Sequence, residues 1–113
     1  MMRNSLHKLD AYAIGRQFLV ELDKALVNAP RSRDVTQAKD AAASVLRNIA
    51  EANVTTGADR ARRFQLALNE ASECTACLDI LELRGALAGE SLSGLYELND
   101  RQRATLRPMS RKR

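Results

Sequence analysis

Tryptophan is absent from this 113-residue chain, aromatic residues make up 4%, and there are two prolines, two cysteines and one histidine. Each scarcity removes a class of protein. Strands favour β-branched and aromatic side chains, so few aromatics together with abundant Ala, Leu, Arg and Glu argue against a sheet. One histidine, His7, sits near the N-terminus and leaves no convincing general base. Two cysteines cannot build a disulfide framework, nor a four-ligand zinc site with only one distant histidine. No apolar run approaches the ~20 residues of a membrane span, and MMRNSLHKLD lacks a signal-peptide core, so a cytoplasmic protein with no membrane partner is expected. There is no Gly-rich phosphate loop and no nucleophile–base pair. Neither an enzyme nor a cofactor is expected.

What is present is helical periodicity. The length suits one domain burying roughly two-thirds of its unfolded surface. A first helix is expected from Asp10 to Asn28, ended by Ala29-Pro30, with Ile14, Phe18, Leu22, Ala25 and Leu26 facing the core. Leu9, Ala13, Val20 and Val27 form a second, narrower apolar stripe. It either widens the core face or makes a further contact. A second helix is expected over Asp34–Asn53, with Val35, Ala38, Ala42, Val45, Leu46 and Ile49 inward. Thr56 followed by Asp59 is a capping signal for a third helix reaching Arg84, whose seam is Phe64, Leu68, Ala71, Thr75, Leu78 and Leu81. Gly85 offers its stop, and Ser91 can cap a fourth helix with Leu92, Leu95, Leu98 and Leu106 inward. Pro108 should end that helix and leave RPMSRKR unstructured. The expected fold is all-α, an antiparallel up-down-up-down four-helix bundle over residues 1–106 with a basic tail over 107–113.

The 18 basic and 14 acidic residues are unevenly spread. Residues 101–113 hold six bases (Arg101, Arg103, Arg107, Arg111, Lys112, Arg113) and no acid, leaving 12 bases against 14 acids elsewhere. An antiparallel bundle would gather this tail with Arg3, Lys8 and Arg60-Arg62-Arg63 at one end. Such a pole suits RNA or DNA; the bland reading of the tail is a solvated end. Without aromatic stacking platforms, specific reading of single-stranded bases is not expected.

Three smaller patterns carry less. Cys74 and Cys77 would lie in mid-helix, away from the N-terminal dipole that activates a redox dithiol, and read as buried thiols. Glu51, Glu70 and Glu73 lack the Glu-x-x-His partners of a di-metal bundle. Arg3 and His7 hint weakly at a helical ribonuclease.

The run from Ala41 to Ala52 (AAASVLRNIAEA) resembles R-R-A-A-x-S-I-x-x-N-I-A-E-G. That is the signature of a four-helix-bundle family encoded in intervening sequences of bacterial large-subunit rRNA genes, which is similar to the accessory variability determinant of diversity-generating retroelements. Lys8–Phe18, with Leu9 and Tyr12, and Phe64–Ile80 resemble that family's first and third helices. Lys39-Asp40 replaces its paired arginines, Leu46 a common proline, and Ala52 its glycine. The resemblance implies a homo-oligomer of five four-helix protomers; retroelement members bind RNA and partner a reverse transcriptase. In a ring of bundles the polar arc of the second helix would meet a neighbour, with Asn48 and Glu51 at the contact alongside Leu9, Ala13, Val20 and Val27. In an isolated bundle that arc is simply wet. A rival to nucleic-acid binding is a scaffold whose client is another protein.

Overall fold

The computed structural model describes residues 9–111. Four helices and no strand lie among them: α1 (Asp10–Ala25), α2 (Arg33–Asn53), α3 (Gly57–Leu83) and α4 (Gly89–Met109). None is long and apolar enough to cross a membrane.

Each helix forms where an apolar stripe recurs and ends where capping is available. Ser32 starts α2, its hydroxyl accepting the Val35 N–H at 3.1 Å. That pairing satisfies one of the free donors of the first turn. Gly85, at φ 79°, closes α3. The Gly85 N–H donates to Glu82 O and the Ala86 N–H to Leu81 O, the paired bonds of a Schellman ending. The first helix stops at Ala25 instead of Asn28, in a turn where the Ala29 N–H reaches Leu26 O.

Three end signals behave differently from expectation. Thr56 occupies the N-cap of α3 but makes no side-chain capping bond. Ser91 is not a cap, because α4 begins two residues earlier with Ala88 at the N-cap. Pro108 does not end α4, which runs on to Met109. Proline forfeits one N–H bond, but two features hold this last turn. Met109 packs against the core, and Ser110 donates its N–H to Leu106 O at 3.0 Å and its hydroxyl to Arg107 O at 2.8 Å. Arg107 is therefore helical.

Each helix packs on two neighbours: α1 on α2 and α4, and α3 on α2 and α4. Among the described residues α1 and α3 do not meet, nor do α2 and α4. The α2–α3 seam is the most extensive. The buried positions of the two helices include Ala38, Ala41, Ala42 and Ala52 on α2 and Ala61, Ala67 and Ala71 on α3. Small buried side chains of this kind let packed helix axes approach closely. Asp34 at the start of α2 pairs with Arg84 just past the end of α3 at 2.7 Å. Glu51 near the end of α2 pairs with Arg63 near the start of α3, also at 2.7 Å.

Phe18, Leu22, Val45, Ile49, Phe64, Leu78, Leu81, Leu95 and Leu106 form the centre of the core. Ile14, Leu46 and Leu68 are only half-buried, at its edge. Cys74 and Cys77 are buried free thiols. Gly15 is a point of close approach: a Cβ there would lie 2.9 Å from both Gln102 Oε1 and Leu46 Cδ2.

Candidate nucleic-acid interface

The three arginines at the start of α3 have different fates. Arg60 turns back on its own chain, donating from Nη1 to Ala52 O at 3.0 Å with its guanidinium 5.0 Å from the Phe64 ring centroid. It closes the α2–α3 turn and stacks on an aromatic face. Arg63 is engaged by Glu51. Arg62 is exposed and makes no ion pair among the described residues. Of the cluster, one cation is free for a partner and two are partly committed.

On α4 the pattern repeats. Arg103 is half-buried, 4.0 Å from Asp100, and its Nε is buried with no partner among the described residues. Arg107 and Arg111 are exposed and make no ion pair among the described residues, one helical turn apart in sequence. Arg101 is exposed on the other flank, where it lines two adjoining grooves between α1 and α4 of about 470 and 570 Å³. Arg3, Lys8, Lys112 and Arg113 lie outside the described residues.

The residues expected at a contact between copies divide likewise. Leu9 is half-buried and packs against the core. Ala13, Val20 and Val27 stay exposed, the two valines at 50% and 73%. Asn48 donates from Nδ2 to Ser44 O at 3.0 Å and lies 3.4 Å from Ser44 Oγ, so its amide hydrogens are used within α2. Glu51 is held by Arg63. Beside this part of α2, Asp40, Ser44, Arg47, Glu70 and Glu73 line a small polar hollow. Burial, then the negative charge of Glu73, pushes the Glu70 carboxyl above its ordinary range.

The sequence reading missed the polar centre of the core. Asn99 and Gln102 are buried. Asn99 Nδ2 donates to Ala71 O and to Thr75 Oγ1, both at 2.9 Å, and Gln102 Nε2 donates to Asn99 Oδ1 at 2.9 Å. Gln102 Oε1 has no hydrogen-bond partner among the described residues and rests over Gly15. A signal was available. The α4 seam Leu92, Leu95, Leu98 resumes only at Leu106, and Asn99 and Gln102 fill the helical positions between. Farther along the same seam the Tyr96 hydroxyl donates to Asp79 of α3, a bond that raises the phenol to about 12.

Burial pushes the Cys74 thiol up to about 12 and raises that of Cys77. Neither has the thiolate character that nucleophilic or redox chemistry requires. Among the described residues no group of three or more His, Cys, Asp or Glu is placed to hold a metal ion. No known family matches this chain, and no curated protein does.

Proposed function

We propose that this chain is a non-enzymatic, homo-oligomeric four-helix protein that binds RNA or DNA through one basic end. The reading takes the helices as an antiparallel up-down-up-down bundle. Supporting it, Asp34–Arg84 and Glu51–Arg63 link α2 and α3 in opposite order along the two helices. Tyr96–Asp79 and Asn99–Thr75 do the same for α3 and α4. Carried farther, that register sets Arg107 level with Ala67 and, a turn beyond, Arg111 level with Arg63, next to Arg62.

The observation that carries the proposal is this set of unpaired cations. Arg62, Arg107 and Arg111 are exposed and have no acidic partner among the described residues, and Lys112 and Arg113 follow them in sequence. Desolvation costs little at exposed sites, and each phosphate neutralised releases counterions. Binding of this kind tolerates sequence and falls with salt. The resemblance of Ala41–Ala52 to the rRNA intervening-sequence family points the same way, toward an assembly of five and an accessory role beside a reverse transcriptase.

Because Met109 contributes to the core, the charges are best removed without shortening α4. The triple variant Arg62→Gln/Arg107→Gln/Arg111→Gln should keep the parent's thermal stability and lose at least tenfold in affinity for mixed-sequence RNA or DNA at low salt. Equal affinity of variant and parent would refute the basic-end reading and leave the protein-interaction scaffold as the better account.

A further inference from the structure

One hollow differs in charge from the others. It lies between the end of α1, the loop that follows and the first turns of α2, with a volume of about 880 Å³. Glu90 and Glu97 line one groove between α1 and α4, Asp10 lines its neighbour, and Glu70 and Glu73 line the hollow beside α2. The hollow at the start of α2 is lined by Arg31, Arg33 and Lys39 and by no carboxylate. Asp34, in the first turn of the same helix, is drawn away to Arg84 at 2.7 Å. Asp23 lies outside the lining, 3.9 Å from Lys39, and offsets that one cation in part. Arg31 and Arg33 are exposed and make no ion pair among the described residues.

The backbone explains why these groups converge. Ser32 is extended, at φ −156° and ψ 161°. Successive side chains of an extended stretch leave on opposite sides, so Arg31 and Arg33 leave on the same side, and both reach this hollow. Two guanidinium groups so placed can each present paired N–H donors to one phosphate. Thr36 and Gln37 add uncharged donors. The other wall is apolar because α1 stops at Ala25 and turns back on itself there. Leu26 is buried beneath it, Ala29 and Val35 are half-buried, and Val27 is largely exposed. A few convergent polar groups beside an apolar wall are the makings of a small-molecule site, and the volume falls within the usual range of about 300–1,000 Å³.

We propose that this hollow binds a small amphipathic phosphate, a phosphomonoester with its head between Arg31 and Arg33 and a short alkyl part on Val27, Ala29 and Val35. The charge selects the anion, since three cations face the ligand and no acid does. The wall selects an alkyl body. Inorganic phosphate would leave it wet, and a nucleic-acid backbone has no alkyl chain to cover it. No aromatic side chain lines the hollow, so a nucleobase would find no stacking platform. The site does not rest on the nucleic-acid reading. Arg31 precedes α2, and Arg62 stands just beyond its far end, so the 21 residues of that helix separate them by ~30 Å. The same chemistry occurs in a soluble alkyl phosphate and in the head group of phosphatidic acid.

Titration of the isotope-labelled chain with hexyl phosphate, followed by NMR, tests this directly. The backbone amides of Val27, Arg31, Ser32, Arg33 and Thr36 should shift saturably. Hexyl phosphate should bind at least tenfold more tightly than methyl phosphate, because its added methylenes leave water. Hexyltrimethylammonium should leave the same amides unmoved. Arg31→Gln/Arg33→Gln should lose at least tenfold in affinity for hexyl phosphate without a change in melting, both side chains being exposed. Val27→Ser should bind hexyl phosphate more weakly and narrow the gap between the two phosphates. Cosedimentation with phosphatidylcholine vesicles that contain phosphatidic acid, lost in the arginine double variant, would assign the head group to a lipid. Saturable binding of hexyl phosphate without cosedimentation would assign it to a soluble ligand. No saturable shift below about 10 mM, equal affinity for the two phosphates, or full affinity in the arginine double variant would overturn the proposal. Shifts confined to Arg107 and Arg111 would overturn it as well.

Discussion

Asn99→Leu and Gln102→Leu, made singly and together, probe how the core is held in register. Asn99 is the hub: its Nδ2 serves Ala71 O and Thr75 Oγ1, and its Oδ1 accepts from Gln102 Nε2, all at 2.9 Å. Replacing Asn99 strands the whole Gln102 amide, since Oε1 already has no partner. A buried donor left unpaired costs about 1–3 kcal/mol. Replacing Gln102 alone removes the orphaned Oε1 but takes the donor from Asn99 Oδ1, exchanging one unpaired oxygen for another. Asn99 keeps its two bonds to α3, so the cost should be smaller than for Asn99→Leu. In the double variant no polar atom of the pair remains, and an apolar replacement of similar shape is close to neutral or stabilising. The two substitutions should therefore be coupled by about 1–3 kcal/mol, the double variant being more stable than the sum of the singles predicts. Urea denaturation at one fixed chain concentration reads this out. With slopes of about 1–3 kcal/mol/M, a 2 kcal/mol loss in Asn99→Leu moves the midpoint down by roughly 1 M, and the second substitution restores it. Additivity within about 0.5 kcal/mol would refute the argument, because it would mean that Gln102 does not depend on Asn99.

Other expectations follow from the titrating groups. With the Cys74 thiol raised to about 12, the native protein should react with a thiol reagent at pH 8 far more slowly than the urea-unfolded chain. Equal rates would place these cysteines outside the core. Glu70 has its carboxyl raised above 4.5 by burial and by Glu73, so in the folded state its ionised form is disfavoured. Below pH 4.5 the group is protonated in both states and contributes no difference; as pH rises through the folded value, the penalty develops. Glu70→Gln should accordingly raise the melting temperature at pH 7 and have little effect near pH 3. An effect that is largest at acid pH would reverse the sign of this reasoning.

Much of the fold was legible because helical periodicity survives in the sequence. Phe18, Leu22, Val45, Ile49 and Leu78 could be placed inside from spacing alone. The ends were less legible, since they depend on which side chain wins a local competition. Ser32 caps α2 with its own hydroxyl, whereas Thr56 stands in the same position for α3 without making the bond. Pro108 reads as a stop in any local argument, and only the packing of Met109 with the bonds of Ser110 carries the helix past it. Asn99 and Gln102 are polar and read locally as exposed. The acceptors that let Asn99 be buried, Ala71 O and Thr75 Oγ1, lie more than twenty residues away in sequence, and Gln102 in turn leans on Asn99 Oδ1. The basic cluster was legible as charge but not as availability. Arg60 and Arg63 look like Arg62 in the sequence, and only the turn geometry shows Arg60 on Ala52 O and Arg63 on Glu51.

The central claim is that exposed cations at one end recruit polyanions, and its most direct test is the salt dependence of binding by the parent chain. Affinity for mixed-sequence single-stranded RNA, measured by fluorescence anisotropy from 50 to 200 mM salt, should fall linearly on logarithmic axes. Three phosphates neutralised by Arg62, Arg107 and Arg111 predict a slope of about −2 per protomer, and Lys112 and Arg113 would steepen it. Absence of binding at 50 mM salt, or affinity that stays constant across the range, would contradict the account.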